Sequence, residues 1–223
     1  MNIRAALIAV SAFFIAAGCS PLAPQPDRSR FFILTPISAG APAAAVQAPS
    51  ASTQQLTIGV GPIDFPDYLR RLEVVTRASP NQLDLSSEKR WGEPLDKNFA
   101  RVLSENLAQL LDDRKIEKYP WPRRTEVDYQ VTVDVQRFET GADGQTQLDA
   151  RWIIKDGRSG KDLYASETSS STPVAAGDAG ASAALSSDLA TLSSQIASRI
   201  TDLSQSGTRT TSSSDSQAAA ITQ

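Results

Sequence analysis

The residues able to do chemistry are few. The chain of 223 residues has no histidine and one cysteine, Cys19. Without imidazole, the commonest general base and metal ligand is missing, and a lone thiol forms neither an intrachain disulfide nor the clustered ligands of a structural zinc site. Carboxylates, hydroxyls and lysines remain, but no GxSxG nucleophile elbow, Walker-type phosphate loop or GxGxxG dinucleotide turn occurs. One carboxylate reading survives: a glycosidase using residues such as Asp64, Asp67 or Glu93, which needs an acidic pair facing across a sugar cleft. The composition otherwise points away from an enzyme and calls for no cofactor or metal. A net charge of −3 and a pI near 5.1 provide no concentrated positive field, so nucleic-acid binding is not expected.

Cys19 takes its meaning from what precedes it. Met1-Asn2-Ile3-Arg4 is followed by an apolar run from Ala5 to Ala17, broken only by Ser11. This is the charged head and short apolar core of an export signal, too short to span a bilayer. Ala16-Ala17-Gly18-Cys19 resembles the bacterial lipobox, although alanine stands where leucine is usual. The resemblance implies that the sulfur receives a diacylglyceryl group, residues 1–18 are removed, and the new amine is acylated. Several acyl chains on one residue hold a protein where a single chain does not. Ser20 in place of aspartate implies sorting to the outer membrane. Pro21, Pro24 and Pro26 make residues 19–29 a semi-rigid spacer.

The elements that follow can be read from periodicity. Arg30–Thr35 reads as a strand stopped by Pro36, and 38–55 as an Ala/Pro/Ser-rich loop. Leu56–Val60 alternates as a strand that Gly61-Pro62 breaks; Leu72–Arg77 and Leu83–Leu85 read as two more. From Pro94 onward Leu95, Phe99, Val102, Leu103, Leu107, Leu110 and Leu111 recur at spacings that put them on one helical face. Glu126–Thr140, Gln145–Asp156 and Leu163–Thr172, separated by Asp-Gly and Ser-Gly turns, predict an antiparallel meander. Leu185, Leu189, Leu192, Ile196, Ile200 and Leu203 write a second helix, and the composition of 204–223 predicts a disordered tail. The sum over 30–203 is an α+β domain of two layers: a largely antiparallel sheet with two main helices on one face.

Two further stretches hold unusual residues. Asp64, Pro66, Asp67 and Tyr68 form a stiff link that presents an aromatic ring, either a packing lid or a binding anchor. Trp91 reads as a core-capping residue or a contact, and Pro120-Trp121-Pro122 as a stiff turn with the same two options. Arg77 and Arg90 have Glu73, Glu88 and Glu93 as acidic neighbours in sequence, so surface ion pairs are expected.

In order along the chain, the lipobox, Phe31–Leu34, Pro66-Asp67-Tyr68-Leu69, Val75-Thr76-Arg77 and Arg90-Trp91-Gly92-Glu93-Pro94-Leu95 resemble the ABC-type transport auxiliary lipoproteins. That family includes the PqiC component of the paraquat-inducible Mce system. The segment Arg70-Arg71-Leu72 departs from the pattern, in which an acidic residue, arginine and often proline are expected. The resemblance implies a lipid-anchored protein facing the periplasm and docking a periplasmic Mce tunnel to the outer membrane. Its partners would be an Mce-domain protein and ABC components, and it would form a homo-oligomer. Pro66, Asp67, Tyr68, Arg77, Arg90, Trp91 and Glu93 are the candidate partner interface. A scaffold or chaperone for another outer-membrane machine is the competing reading.

Overall fold

The computed structural model describes residues 27–37, 56–112 and 114–219, with side chains as far as 206. The export signal, Cys19, most of the spacer and the 38–55 loop lie outside the described residues. Eight strands and two helices follow in the order β1 (Arg30–Phe32), β2 (Thr57–Asp64), β3 (Glu73–Ser79), β4 (Gln82–Trp91), α1 (Leu95–Leu110), β5 (Lys115–Lys118), β6 (Tyr129–Gly141), β7 (Thr146–Asp156), β8 (Asp162–Ser170) and α2 (Gly180–Ala219). A single 3₁₀ turn, Asp67–Leu69, joins β2 to β3. The class is α+β, as the periodicities predict.

The longest strand, β6, organises the sheet. One of its edges carries β7 in antiparallel register from Tyr129 to Thr140, and β8 continues the meander outside β7. Its other edge is shared. β2 pairs in parallel with Tyr129 to Asp134, with β5 outside it. β3 pairs only at Thr140 and Gly141, with β4 and then β1 outside that. The sheet therefore forks, and the stretch 135–139 of β6 lies between the two branches. The long ladders are antiparallel and the parallel pairings short.

Both helices lie on one side. α1 rests on β2 and β5, α2 on β6, β7 and β8, and the two pack against each other. The apolar stripe of α1 is buried as its spacing predicts, with Phe99, Val102, Leu103 and Leu107 at 0% exposure. Phe99 meets Phe65 and Phe138 edge-on, at centroid distances of 5.1 and 5.2 Å, the geometry that ring quadrupoles favour. Polar bonds fix the second helix. Asn106 of α1 donates to Ser193 of α2 at 3.0 Å, and the buried Asp188 accepts from Ser170 at 2.8 Å, from Thr172 at 2.7 Å and from Thr146. A buried carboxylate needs such partners, since an unmet one is costly.

Four details differ from the sequence reading. β2 runs on through Gly61-Pro62 to Asp64, because a register shift between Val60 and Ile63 absorbs the proline. β4 runs on from the predicted Leu83–Leu85 to Trp91, which thereby ends a strand. β5 was not anticipated, its sequence Lys-Ile-Glu-Lys being too short and charged to alternate visibly. Finally, α2 continues to Ala219 where a disordered tail was expected; no proline interrupts 204–219, and adding residues to an existing helix costs far less than starting one.

Candidate functional site

The link between β2 and β3 holds three of the residues singled out from sequence, Pro66, Asp67 and Tyr68, and it fills the fork. Pro66, with φ −61°, starts the 3₁₀ turn and its carbonyl accepts from Leu69 at 3.0 Å. Leu69 is buried at 2% and joins the hydrophobic core. The turn holds Tyr68 against the open part of β6, where its hydroxyl lies 2.9 Å from Glu139 Oε2 and 3.3 Å from the Gln136 carbonyl. The single phenolic proton goes to the nearer, charged acceptor.

Glu139 is the centre of the cluster. Its side chain has 0% exposure. Oε1 accepts from Arg77 Nε at 2.7 Å and from Arg137 Nε at 3.1 Å; Oε2 accepts from Tyr68 and from the Phe138 amide at 3.0 Å. Arg77 also donates to the Pro80 carbonyl at 3.2 Å, and its guanidinium lies 5.6 Å from the Tyr68 ring centroid. Arg137 reaches Asp149 at 3.7 Å. A buried carboxylate between two arginines, with four donors, has its hydrogen-bonding capacity met. Arg77 is held more firmly protonated chiefly by its hydrogen bond to Glu139.

Burial, followed by the Glu139 charge, pushes the Tyr68 phenol from its ordinary 10.0 up to about 12. The folded state thus keeps a proton that the unfolded chain gives up above pH 10. The associated stability is complete below pH 10 and is lost as pH rises through about 12. Urea midpoints measured across that window should fall in the native sequence and fall less steeply in Tyr68→Phe. At neutral pH the same substitution should cost about 1 kcal/mol for the lost hydrogen bond. Equal alkaline slopes for the two proteins would contradict this placement of the proton.

The remaining candidates separate from this cluster. Asp67 is fully exposed, with Arg70 at 3.9 Å. Trp91 is 3% exposed and belongs to the core. Arg90 pairs with Phe31 and Glu73 in the sheet register, and its Nε is buried without a hydrogen-bond partner. Glu93 binds Arg101 at 2.8 Å, beside an Arg101–Glu105 pair at 3.2 Å. The expected partners Glu73, Glu88 and Glu93 are therefore not those of Arg77, whose partner Glu139 stands 62 residues away. Two residues essential to the cluster, Glu139 and Arg137, escaped the sequence reading. The sequence carries no signal for them, because Phe138 followed by Glu139 reads as ordinary alternation, yet both are 1% exposed.

The Pro120-Trp121-Pro122 turn packs locally. Trp121 lies over Gly59, where a Cβ would come within 2.7 Å of the indole, and meets Tyr119 edge-on at 5.5 Å. Asp64, Asp67 and Glu93, the residues of the glycosidase reading, line neither of two clefts of about 410 and 580 Å³. Among the described residues no group of three His, Cys, Asp or Glu side chains could hold a metal ion, and no helix is long and apolar enough to cross a membrane.

Two solved structures share this fold. One, a crystal structure of an uncharacterised protein, is 19% identical with a TM-score of 0.63, covering 77% of this chain and 98% of that one. The other, protein XCC0632 from Xanthomonas campestris, is 14% identical with a TM-score of 0.60, covering 81% and 99%. No curated protein matches the sequence significantly. Residues 38–197 match the family described as the ABC-type transport auxiliary lipoprotein component. That span takes in every strand of the forked sheet except β1, together with α1 and the apolar stripe of α2 as far as Ala197. The chain belongs to the family of ABC-type transport auxiliary lipoproteins.

Proposed function

We propose that the protein is the lipid-anchored docking component of an Mce-type intermembrane lipid transport system, fixed to the outer membrane through Cys19 with its domain in the periplasm. The observation that carries this reading is the family match over residues 38–197. No covalent step belongs to the role and no cofactor is needed. Its partners are an Mce-domain protein and the ABC components, and copies of the chain assemble around the tunnel as a homo-oligomer.

The exposed Asp67, beside the half-buried Pro66, is the partner-facing corner of the candidate interface. Tyr68 and Arg77 brace it from behind through Glu139, so a contact made at the corner meets a rigid surface, which lowers the ordering cost of binding. Arg90 and Glu93 lie farther along the same branch, where they flank the buried Trp91.

A photo-crosslinker placed at Asp67 in intact cells, followed by mass spectrometry, should capture an Mce-domain protein or an ABC component. Capture of neither would overturn the transport role. Capture of an outer-membrane barrel alone would favour the scaffold reading.

A further inference from the structure

Three large apolar side chains stand in water at the corner where the chain enters the sheet. Phe31 is 65% exposed, Ile33 52% and Leu72 44%. The first two follow from alternation. Along the edge, Leu34 at 0% exposure and the half-buried Phe32 turn inward, so Phe31 and Ile33 turn outward. Leu72 belongs to the same end. Its carbonyl accepts from the Trp91 amide at 2.6 Å, and Trp91 is the register partner of Phe32. This places the Leu72 backbone two strands from Phe32, about 10 Å across the sheet.

Single exposed apolar residues need no explanation, but a group at one corner does. No described residue covers this one. Of the arginines around it, Arg30 pairs with Asp178 and Arg70 with Asp67, while Arg28 and Arg71 stand exposed.

The length of the chain ahead of it identifies an occupant. Phe31 follows Cys19 by twelve residues, a distance of at most about 40 Å even when fully extended. We infer that the corner formed by Phe31, Ile33 and Leu72 dips into the headgroup region of the bilayer that holds Cys19, so that the domain rests on the membrane by this end. Apolar side chains enter the boundary, and Arg28 and Arg71 keep their charged ends at headgroup level. The inference rests on the reading of Cys19 as the lipid attachment point.

The test exploits the single cysteine. The full chain, exported and processed in cells, is reconstituted in vesicles of phosphatidylethanolamine with a minor share of phosphatidylglycerol. A nitroxide label is placed at Phe31→Cys, Ile33→Cys or, as a control on the far strand β8, Leu163→Cys, which replaces a residue 39% exposed. Labels at 31 and 33 should be about threefold less accessible to a water-soluble nickel chelate than the label at 163, and more accessible to oxygen. The difference should persist in high salt, because burial of apolar surface is not screened. Equal accessibility at all three positions would overturn the inference. So would protection at 31 and 33 accompanied by dipolar broadening between labels, which would assign the corner to a second copy of the chain. The native sequence, treated with the same label, should take up none, because acylation consumes the Cys19 thiol. Uptake there would overturn the anchor reading itself.

Discussion

Cys19→Ser is expected to abolish incorporation of fatty acid and to remove the protein from the outer-membrane fraction. Each acyl chain contributes on the order of 10 kcal/mol of membrane affinity, at about 0.8 kcal/mol per buried CH₂. A hydroxyl in place of the thiol forms no thioether, so every chain is lost together. The folded domain should be unaffected, since its core is built from Leu34 onward and closes without residue 19. Metabolic labelling with palmitate and membrane fractionation measure the two effects. A Cys19→Ser protein that still incorporated palmitate, or still sedimented with the outer membrane, would show that the anchor lies elsewhere.

The largest loss of folding stability at the fork should come from Glu139→Ala. The substitution leaves Arg77 and Arg137 facing each other without the carboxylate they share, and it removes the acceptor of Tyr68. Breaking a buried pair by removing one partner costs about 3–5 kcal/mol. Here the lower end applies, because the arginine side chains retain 23% and 37% exposure and water takes over part of the solvation. An expected loss of about 3 kcal/mol would lower the melting temperature by roughly 6–12 °C for a domain of this size. Glu139→Gln keeps the volume and one acceptor oxygen, so about half that loss is expected. Urea unfolding followed by far-ultraviolet circular dichroism checks both. A Glu139→Ala variant as stable as the native protein would mean that the four donors are met by water and that the cluster does not hold the fork.

Much of the fold was legible because its helices pack on one side of a sheet. The stripe from Leu95 to Leu111 could be read directly, since burial on one face leaves that face apolar and the rest free to vary. The meander was legible for the corresponding reason in strands, where Val131, Val133 and Val135 are buried and Asp134 and Gln136 exposed. Legibility ends where the period breaks. The register shift between Val135 and Arg137 puts Phe138 on the helix side against Phe99, while Glu139, on the opposite face beside Arg137, is buried by the Tyr68 and Arg77 side chains, and a glutamate in a strand otherwise reads as solvent-facing. Arg77 offered only nearby acids as partners, because sequence distance says nothing about which strand will arrive alongside. Tyr68 was recognised as unusual, yet its two options, lid and anchor, could be separated only by seeing what its hydroxyl reaches. The family motifs likewise located the link between β2 and β3 without revealing that part of it serves to close the sheet.

The fork also determines how the molecule bears a pull. In the proposed role the chain is tied to a membrane at one end and to an assembly at the other, so force from the anchor would enter through β1. Part of it passes to the helices through the Thr35 and Ile37 amides, bonded to Ser186 and Asn106, and part by way of β4 to β3, which meets the body of the sheet at only two residue pairs, Thr76 with Thr140 and Arg77 with Gly141. Backbone pairing this brief is a weak seam. Arg77 belongs both to the seam and to the ion cluster, so its side chain rivets to Glu139 the strand that its backbone only tacks in place. Tension that opened the seam would have to pull a buried charge away from its partner at the same moment.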